Sequence, residues 1–363
     1  MPVSPVDWGL AERVAVRVAG HEPLAASYHY DRLASDFSEL TARAEALVAD
    51  ETGLRSASGP ARARVVDRAD WVRANLASFG RLLRPLTDRM AERVGDKRGV
   101  AAIPAAMTRR ATGVEVGALL GWMATRVLGQ YDLLVIEDED PDDQDVVYYV
   151  GPNVLALEKR YGFPPQEFRL WLALHEVTHR AQFTGVPWLR GHFLSLVEQT
   201  LDAVDPDPKR FIDALGRVVD DLRSGHNPLD EGGVATLLAS PDQRELFGRI
   251  GGMMSLLEGH GDVTMDRAGA GHVPSAPRFS RTLRERRKQG GSAAKLLQKA
   301  LGIDAKFKQY AQGESFIAHI ERHGGPHALD AAWRGPEWLP TLAEIRAPQD
   351  WLDRIRLSEE LVG

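Results

Sequence analysis

The sequence predicts a mainly α-helical protein with one small β-hairpin or sheet. Most of the chain carries apolar residues at helical spacing, in segments separated by glycine and proline. The region 131–150 differs, because residues 131–137 and 146–150 are rich in β-branched and aromatic side chains. An acidic stretch with one proline separates these two segments, which is typical of a β-hairpin with a polar tip.

Helices are expected on both sides of this hairpin. Asp7 is a good N-cap for the first helix. Gly117 and Gly121 lie one helical turn apart and would allow two helices to pack closely. The expected helical segments are 7–19, 29–51, 60–94 (two helices, divided at Pro85), 104–129, 151–160, 165–183, 189–204, part of 205–232, 242–266, 279–289 and several pieces up to about 357.

The composition is that of an ordinary soluble globular protein. The chain has 363 residues, of which 44% are hydrophobic and 26% charged, enough for one large domain. A net charge of -6 gives no electrostatic reason to expect nucleic acid or an anionic membrane as a partner. Because cysteine is absent, disulfides and thiolate ligands are excluded.

No segment predicts membrane insertion or secretion. The apolar stretch 114–128 is short and carries Glu115 and Arg126, so a buried helix explains it better than a membrane span. The first residues contain no basic segment followed by an apolar run. We therefore expect a cytoplasmic protein without a membrane partner, and the oligomeric state is not indicated.

The most specific pattern is His175-Glu176-Val-Thr-His179, within the apolar segment 169–183. Residues i and i+4 share a helix face, so the two imidazoles point to one place, with Glu176 beside it. This arrangement suits a metal bound by two histidines, with a carboxylate over a metal-bound water. Five-residue patterns also arise by chance. However, the apolar flanks indicate a buried helix, and burying these polar groups without partners is costly.

A hydrolytic zinc site usually has three protein ligands and one position for water. The His-Glu-x-x-His-x-x-Gly-x-x-His arrangement fails here, because Gln182 and Gly185 occupy the glycine and third-histidine positions. Glu258, on a later apolar helix, is the better candidate for the third ligand. Asp262 lies one turn further on the same face and could accept a hydrogen bond from the free N–H of a ligating histidine.

The spacing Glu258-x-x-x-Asp262 after the histidine motif resembles the gluzincin branch of the zincin metallopeptidases. Residues 175–190 more closely resemble an actinobacterial family of zincin-like metallohydrolases, often labelled deazaflavin-cofactor biosynthesis-associated proteins of unknown function. Segments 6–11, 129–132 and 256–260 are similar to the same family. The resemblance implies a mostly helical zincin-like fold and a zinc site, and it implies no particular substrate.

These observations predict a zinc-dependent hydrolase, most simply a metallopeptidase that cleaves peptide or amide bonds. Zn²⁺ would lower the pKa of its bound water, and Glu176 would take the proton and deliver it to the leaving amine. A stabiliser for the oxyanion must come from outside the motif. The candidates for contact with the oxyanion or substrate are Tyr148, Tyr149, His226 and His260.

Two other interpretations remain open. One is a catalytically silent zincin-fold protein that binds a peptide or protein partner, and the other is a helical protein with a chance motif. For the domain organisation we expect a single zincin-like domain over 1–363. A division of this domain into two lobes is the alternative: a helical N-terminal lobe, 1–128, and a catalytic lobe with the metal-binding helices, 129–363.

Overall fold

A computed structural model of the chain describes residues 4, 6–22, 24, 26–84, 105–133, 145–202, 241–288 and 303–362. Over these residues the protein is mainly helical with one three-stranded sheet, as the sequence predicts. The chain forms two compact units, Met1–Ala181 with Ala268–Ala276, and Gln182–Arg267 with Pro277–Gly363. The division into lobes at residue 128 stays a prediction.

The first unit contains the sheet and the helices that cover it. The sheet order is β1-β3-β2, in which β1 runs parallel and β2 antiparallel to the central strand β3. The elements in chain order are α1 (Trp8–Ala19), α2 (Tyr28–Asp31), α3 (Leu33–Thr52), β1 (Arg62–Val66), α4 (Arg68–Leu82), α5 (Ala105–Ala124), β2 (Gly129–Tyr131), β3 (Val146–Val150), α6 (Gly151–Tyr161) and α7 (Pro165–Gly185), whose last four residues belong to the second unit.

Strand β1 corrects one sequence prediction, because residues 62–66 were expected in a helix. Arginine and alanine favour helices locally. Pairing with β3 overrides this preference, with Arg62 opposite Val146 and Val66 opposite Val150. The helix α4 that follows is confirmed, and Asp67 caps it. The second helix expected after Pro85 lies outside the described residues.

The predicted hairpin is confirmed in its pairing and corrected in its bounds. Its second strand is Val146–Val150 as expected. The first strand was expected over 131–137, but the strand that pairs with Val146–Val150 is Gly129–Tyr131, and residues 134–137 lie outside the described part of the chain. Of the acidic tip, 138–145, all but Asp145 lies outside the described residues. All five residues of β3 are buried, because helices cover both faces of the sheet.

Helices α1 and α5 pack backbone to backbone, as the glycine spacing predicts. A Cβ atom on Gly117 would lie 2.4 Å from the carbonyl oxygen of Ala11, and one on Gly121 would lie 2.4 Å from that of Ala15. Asp7 caps α1 as expected, accepting a hydrogen bond from the amide of Leu10 at 3.0 Å. The core between these helices, α4 and the sheet includes Ala11, Ala15, Trp71, Val72, Leu120, Ala124, Val146, Tyr148 and Val150.

The second unit is helical over its described residues. After α7 it contains α8 (Leu189–Asp202), α9 (Pro241–Ala268), α10 (Ala276–Lys288), α11 (Ile303–Gly324), two 3₁₀ turns (Ala328–Trp333 and Pro336–Trp338), α12 (Leu342–Arg346) and α13 (Pro348–Val362). Thr341 and Glu344 form a capping box at the start of α12. Of the helices in the described ranges, none has the length and apolar character needed to cross a bilayer.

Candidate metal centre

Helix α7 carries the histidine motif, and a buried arginine anchors its first part. Arg169 is 5% exposed. Its guanidinium donates two hydrogen bonds of 2.8 Å to the carboxylate of Glu158 and a third to Asp36. Burial raises the pKa of Glu158, and the hydrogen bonds from Arg169 oppose this effect. The start of α7 is therefore fixed to α6 and α3.

A second buried arginine directly follows the motif. Arg180 is 1% exposed and donates to Asp145 at 2.9 Å, to Glu45 at 2.6 Å and to the carbonyl oxygen of Gly59 at 2.7 Å. Asp145 has a φ of 53°, an unusual backbone conformation for a non-glycine residue. Sequence reasoning missed both arginines. Their signal was a charged residue inside an apolar helical segment, which requires a buried partner.

The two histidines are half-buried and face each other. The Nε2 atoms of His175 and His179 lie 3.3 Å apart. Two imidazoles bound to one tetrahedral zinc, each at about 2.0–2.1 Å, would have nitrogens about 3.3–3.4 Å apart. The same separation suits an N–H···N hydrogen bond between the rings. The distance therefore fits a shared metal ion without requiring one.

Glu176 lies against strand β2 and is 8% exposed. Its Oε2 atom accepts a hydrogen bond from the amide of Tyr131 at 3.1 Å. The carboxylate also fills the space beside Gly129, where a Cβ atom would come within 2.7 Å of the Glu176 Cγ atom. The acid of the motif is thus held at a defined position by the backbone of an edge strand.

Helix α9 carries Glu258 and Asp262, as predicted. Glu258 is 5% exposed, so its carboxylate lies in the interior, and Asp262 is half-buried. The next residue, Gly259, marks the point where α9 crosses α11. A Cβ atom there would lie only 2.4 Å from the carbonyl carbon of Gly313. The position of Glu258 along the helix therefore depends on a backbone-to-backbone contact.

His260 is buried and has a defined tautomer. The side-chain nitrogen of Gln182 lies 3.0 Å from the carbonyl oxygen of Leu257 and 2.9 Å from His260 Nδ1. Because a carbonyl oxygen can only accept, the amide nitrogen must face both groups, and Nδ1 must accept as well. Neutral His260 then carries its proton on Nε2. The ring meets Trp333 edge to face, with centroids 5.1 Å apart.

The remaining predicted contact residues differ in their surroundings. Tyr149 is fully buried, stacks on Phe37 and shares a 2.8 Å hydrogen bond with the hydroxyl of Thr41. Burial also raises the pKa of its phenol. Tyr148 belongs to the core on the opposite face of the sheet. These positions suit structural roles for both tyrosines, and His226 lies outside the described residues.

One group of side chains could hold a metal ion. His175, His179 and Glu258 each offer one ligand atom, and these atoms all lie within 4.8 Å of one another. Two imidazoles and one carboxylate are the donor set of many catalytic zinc sites, which keep a fourth position for water. Among the described residues, no other group of three or more histidine or acidic side chains meets this description.

Comparisons with known proteins agree with the presence of a metal site. A family profile described as zincin-like metallopeptidase matches residues 6–352. The chain belongs to the zincin-like metallopeptidase family. Membership implies a metal, usually zinc, and confirms the zincin-like fold expected from the sequence.

A solved structure is similar to the chain over nearly its whole length. It is a crystal structure from Chloroflexus aurantiacus, described as that of a candidate hydrolase with a novel fold. It is 30% identical to this chain, with a TM-score of 0.70, and the match covers 97% of this chain and 99% of that one. No curated protein matches the chain. The narrower expectations, an actinobacterial subfamily and a link to deazaflavin-cofactor biosynthesis, have no support from these matches.

Proposed function

We propose that this zincin-like protein is a zinc-dependent hydrolase that cleaves peptide or amide bonds. The observation that carries the proposal is the grouping of His175, His179 and Glu258, with Glu176 held beside the histidine pair. The presence of Glu176 directly after the first histidine supports turnover rather than binding alone, because a purely structural zinc site needs no such base.

Each side chain has a distinct proposed role. His175, His179 and Glu258 would bind Zn²⁺, and Asp262 would accept the N–H of a ligating imidazole and orient its ring. A bound Zn²⁺ ion would lower the pKa of a water molecule and polarise the substrate carbonyl. Glu176 would take the proton from the attacking water and return it to the leaving nitrogen.

The oxyanion needs a hydrogen-bond donor. Among the predicted candidates, His260 is supported by its tautomer, which places a proton on Nε2. The Tyr149 hydroxyl is already engaged with Thr41. We therefore favour His260 as the donor for the developing negative charge.

The first test is the metal content of the purified protein, measured by elemental mass spectrometry. About one zinc per chain is expected in the wild type, and a sharp loss in Glu258→Ala. Glu245→Ala is the matched control, because Glu245 is an exposed acid on the same helix α9. Equal zinc in all three proteins would mean that the third ligand is not Glu258. No bound zinc in the wild type, even after zinc is supplied, would refute the metallohydrolase proposal.

The second test concerns Glu176. Screening with short peptides and simple amides should reveal a zinc-dependent hydrolysis that a chelator abolishes. Glu176→Gln should keep the metal and lose about 10²–10⁴-fold in rate, because it removes the base and preserves the shape. A metal-loaded wild type that binds peptides without any turnover would instead support the catalytically silent alternative.

A further inference from the structure

Strand β2 has one edge that faces away from the rest of the sheet. On its inner side, Asp132 donates its amide to Val146 at 3.2 Å, and Val150 donates to Leu128 at 2.9 Å. Backbone groups alternate sides along a strand, so the amide of Tyr131 points outward. An outward edge of this kind normally offers unpaired backbone groups to another strand.

Glu176 occupies this outward edge. Its Oε2 atom accepts the Tyr131 amide at 3.1 Å. A Cβ atom on Gly129 would lie 2.7 Å from the Cγ atom of Glu176, 2.8 Å from Oε1 and 2.9 Å from Cδ. Ordinary carbon contacts are about 3.5–4.0 Å. The carboxylate therefore uses the space that any side chain at position 129 would fill.

The side chain of Gln130, in the middle of β2, is tied to helix α4, so the strand itself is held in place. Trp71 donates its indole N–H to Gln130 at 2.8 Å, and Gln130 donates to Asn75 at 3.0 Å. Asn75 in turn donates to the carbonyl oxygen of Trp71 at 2.9 Å. A side chain added at Gly129 would thus displace the flexible Glu176 rather than the strand.

We propose that Gly129 and the Tyr131 amide are the positioning elements for Glu176. The edge of β2 holds the carboxylate in one orientation, and glycine is required at position 129 because every other residue would push the carboxylate away. This inference rests on the proposed function for its catalytic consequence. The contact itself can be tested without any activity.

The contact is tested by amide hydrogen exchange. Selective ¹⁵N-tyrosine labelling gives one amide signal for each of the seven tyrosines, and Tyr131→Phe assigns the relevant one. In Glu176→Ala the Tyr131 amide should exchange up to about tenfold faster, because its acceptor is gone. Gly129→Ala should cause the same change, and the double variant Gly129→Ala with Glu176→Ala should exchange no faster than either single variant.

Two outcomes would overturn the proposal. One is unchanged exchange at Tyr131 in Glu176→Ala, a variant that adds no atom to the interior. The other is an additive effect in the double variant, which would show that residues 129 and 176 act separately.

The catalytic consequence has its own measurement. With a substrate in hand, Gly129→Ala should keep the zinc and the KM of the wild type and lose kcat as Glu176→Ala does. A normal kcat beside a mispositioned Glu176 would refute the positioning role. If no zinc or no hydrolysis is found in the wild type, the exchange data still decide the contact, so the two proposals fail separately.

Discussion

The sharpest stability prediction concerns the crossing of α9 and α11. A glycine-to-alanine change inside a helix normally stabilises the helix by about 0.8–1.0 kcal/mol. At Gly259 the added methyl would lie 2.4 Å from the carbonyl carbon of Gly313 and 2.6 Å from its Cα atom. Both contacts are with the backbone of a neighbouring helix, which cannot rotate away as a side chain can.

The magnitude follows from this geometry. To reach a normal contact of about 3.5–4.0 Å, the two helices must separate locally by about 1 Å. Overpacking of this kind typically costs about 1–3 kcal/mol. Subtracting the helix-propensity gain, we expect Gly259→Ala to lower the free energy of unfolding by up to about 2 kcal/mol.

The same helix offers a matched control. Gly248 also lies in α9, and a Cβ atom there would meet nothing within 4 Å. Gly248→Ala should therefore raise the free energy of unfolding by about 0.5–1 kcal/mol. Denaturant unfolding of both variants, followed by circular dichroism, measures the difference. Equal stabilisation by both substitutions would refute the close crossing at Gly259.

The crossing also has a consequence for the metal. Glu258 is adjacent to Gly259, and a shift of about 1 Å in its backbone would loosen the ligand set. We expect zinc affinity to fall about 10- to 100-fold in Gly259→Ala, as for other changes that disturb the support of a ligand, and to stay unchanged in Gly248→Ala. A competition titration against a coloured chelator measures both values.

Three further predictions follow from buried and half-buried polar groups. Arg180→Met should lower the free energy of unfolding by about 3–5 kcal/mol, because it removes a buried cation that pairs with two half-buried carboxylates. A loss under about 1 kcal/mol in denaturant unfolding would contradict this. Gln182→Leu should lower the free energy of unfolding by about 1–3 kcal/mol, because it removes the hydrogen-bond donor to His260. An unchanged free energy of unfolding would show that water replaces the amide. Burial raises the pKa of Glu344, but hydrogen bonds from Arg354 and Thr341 outweigh this effect, so the net pKa is below 4.5. Glu344 therefore contributes stability that is complete above pH 4.5 and is lost as pH falls through its lowered pKa. In Glu344→Gln this part of the loss of stability in acid should disappear. If the free energies of unfolding of wild type and variant fall with pH along parallel curves, the assignment to Glu344 is wrong.

Sequence reasoning succeeded where the evidence is local. The helix of His175 and His179, the helix of Glu258 and the cap at Asp7 all follow from apolar periodicity and from residue types at fixed spacing. The close packing at Gly117 was also visible, because glycines one turn apart leave a helix face without side chains. These features depend on residues within a few positions of one another.

Other features were invisible because they depend on residues that are distant in sequence. Arg180 pairs with Glu45, which lies 135 positions earlier, and nothing near either residue indicates the partner. The strand Arg62–Val66 begins with helix-forming residues, and its pairing with β3 makes it a strand. Tyr149, a predicted substrate contact, is fully buried and hydrogen-bonded to Thr41.

The amino-acid sequence by itself thus determined the mainly helical class, and it predicted the candidate metal-binding motif and the candidate third ligand. Helical periodicity and ligand spacing are properties of short segments. Only the tertiary structure decided that the acid of the motif, Glu176, is held by the edge of β2 beside Gly129. That contact joins residues 45 positions apart through a backbone amide, a donor that every residue except proline carries and that no sequence pattern can mark.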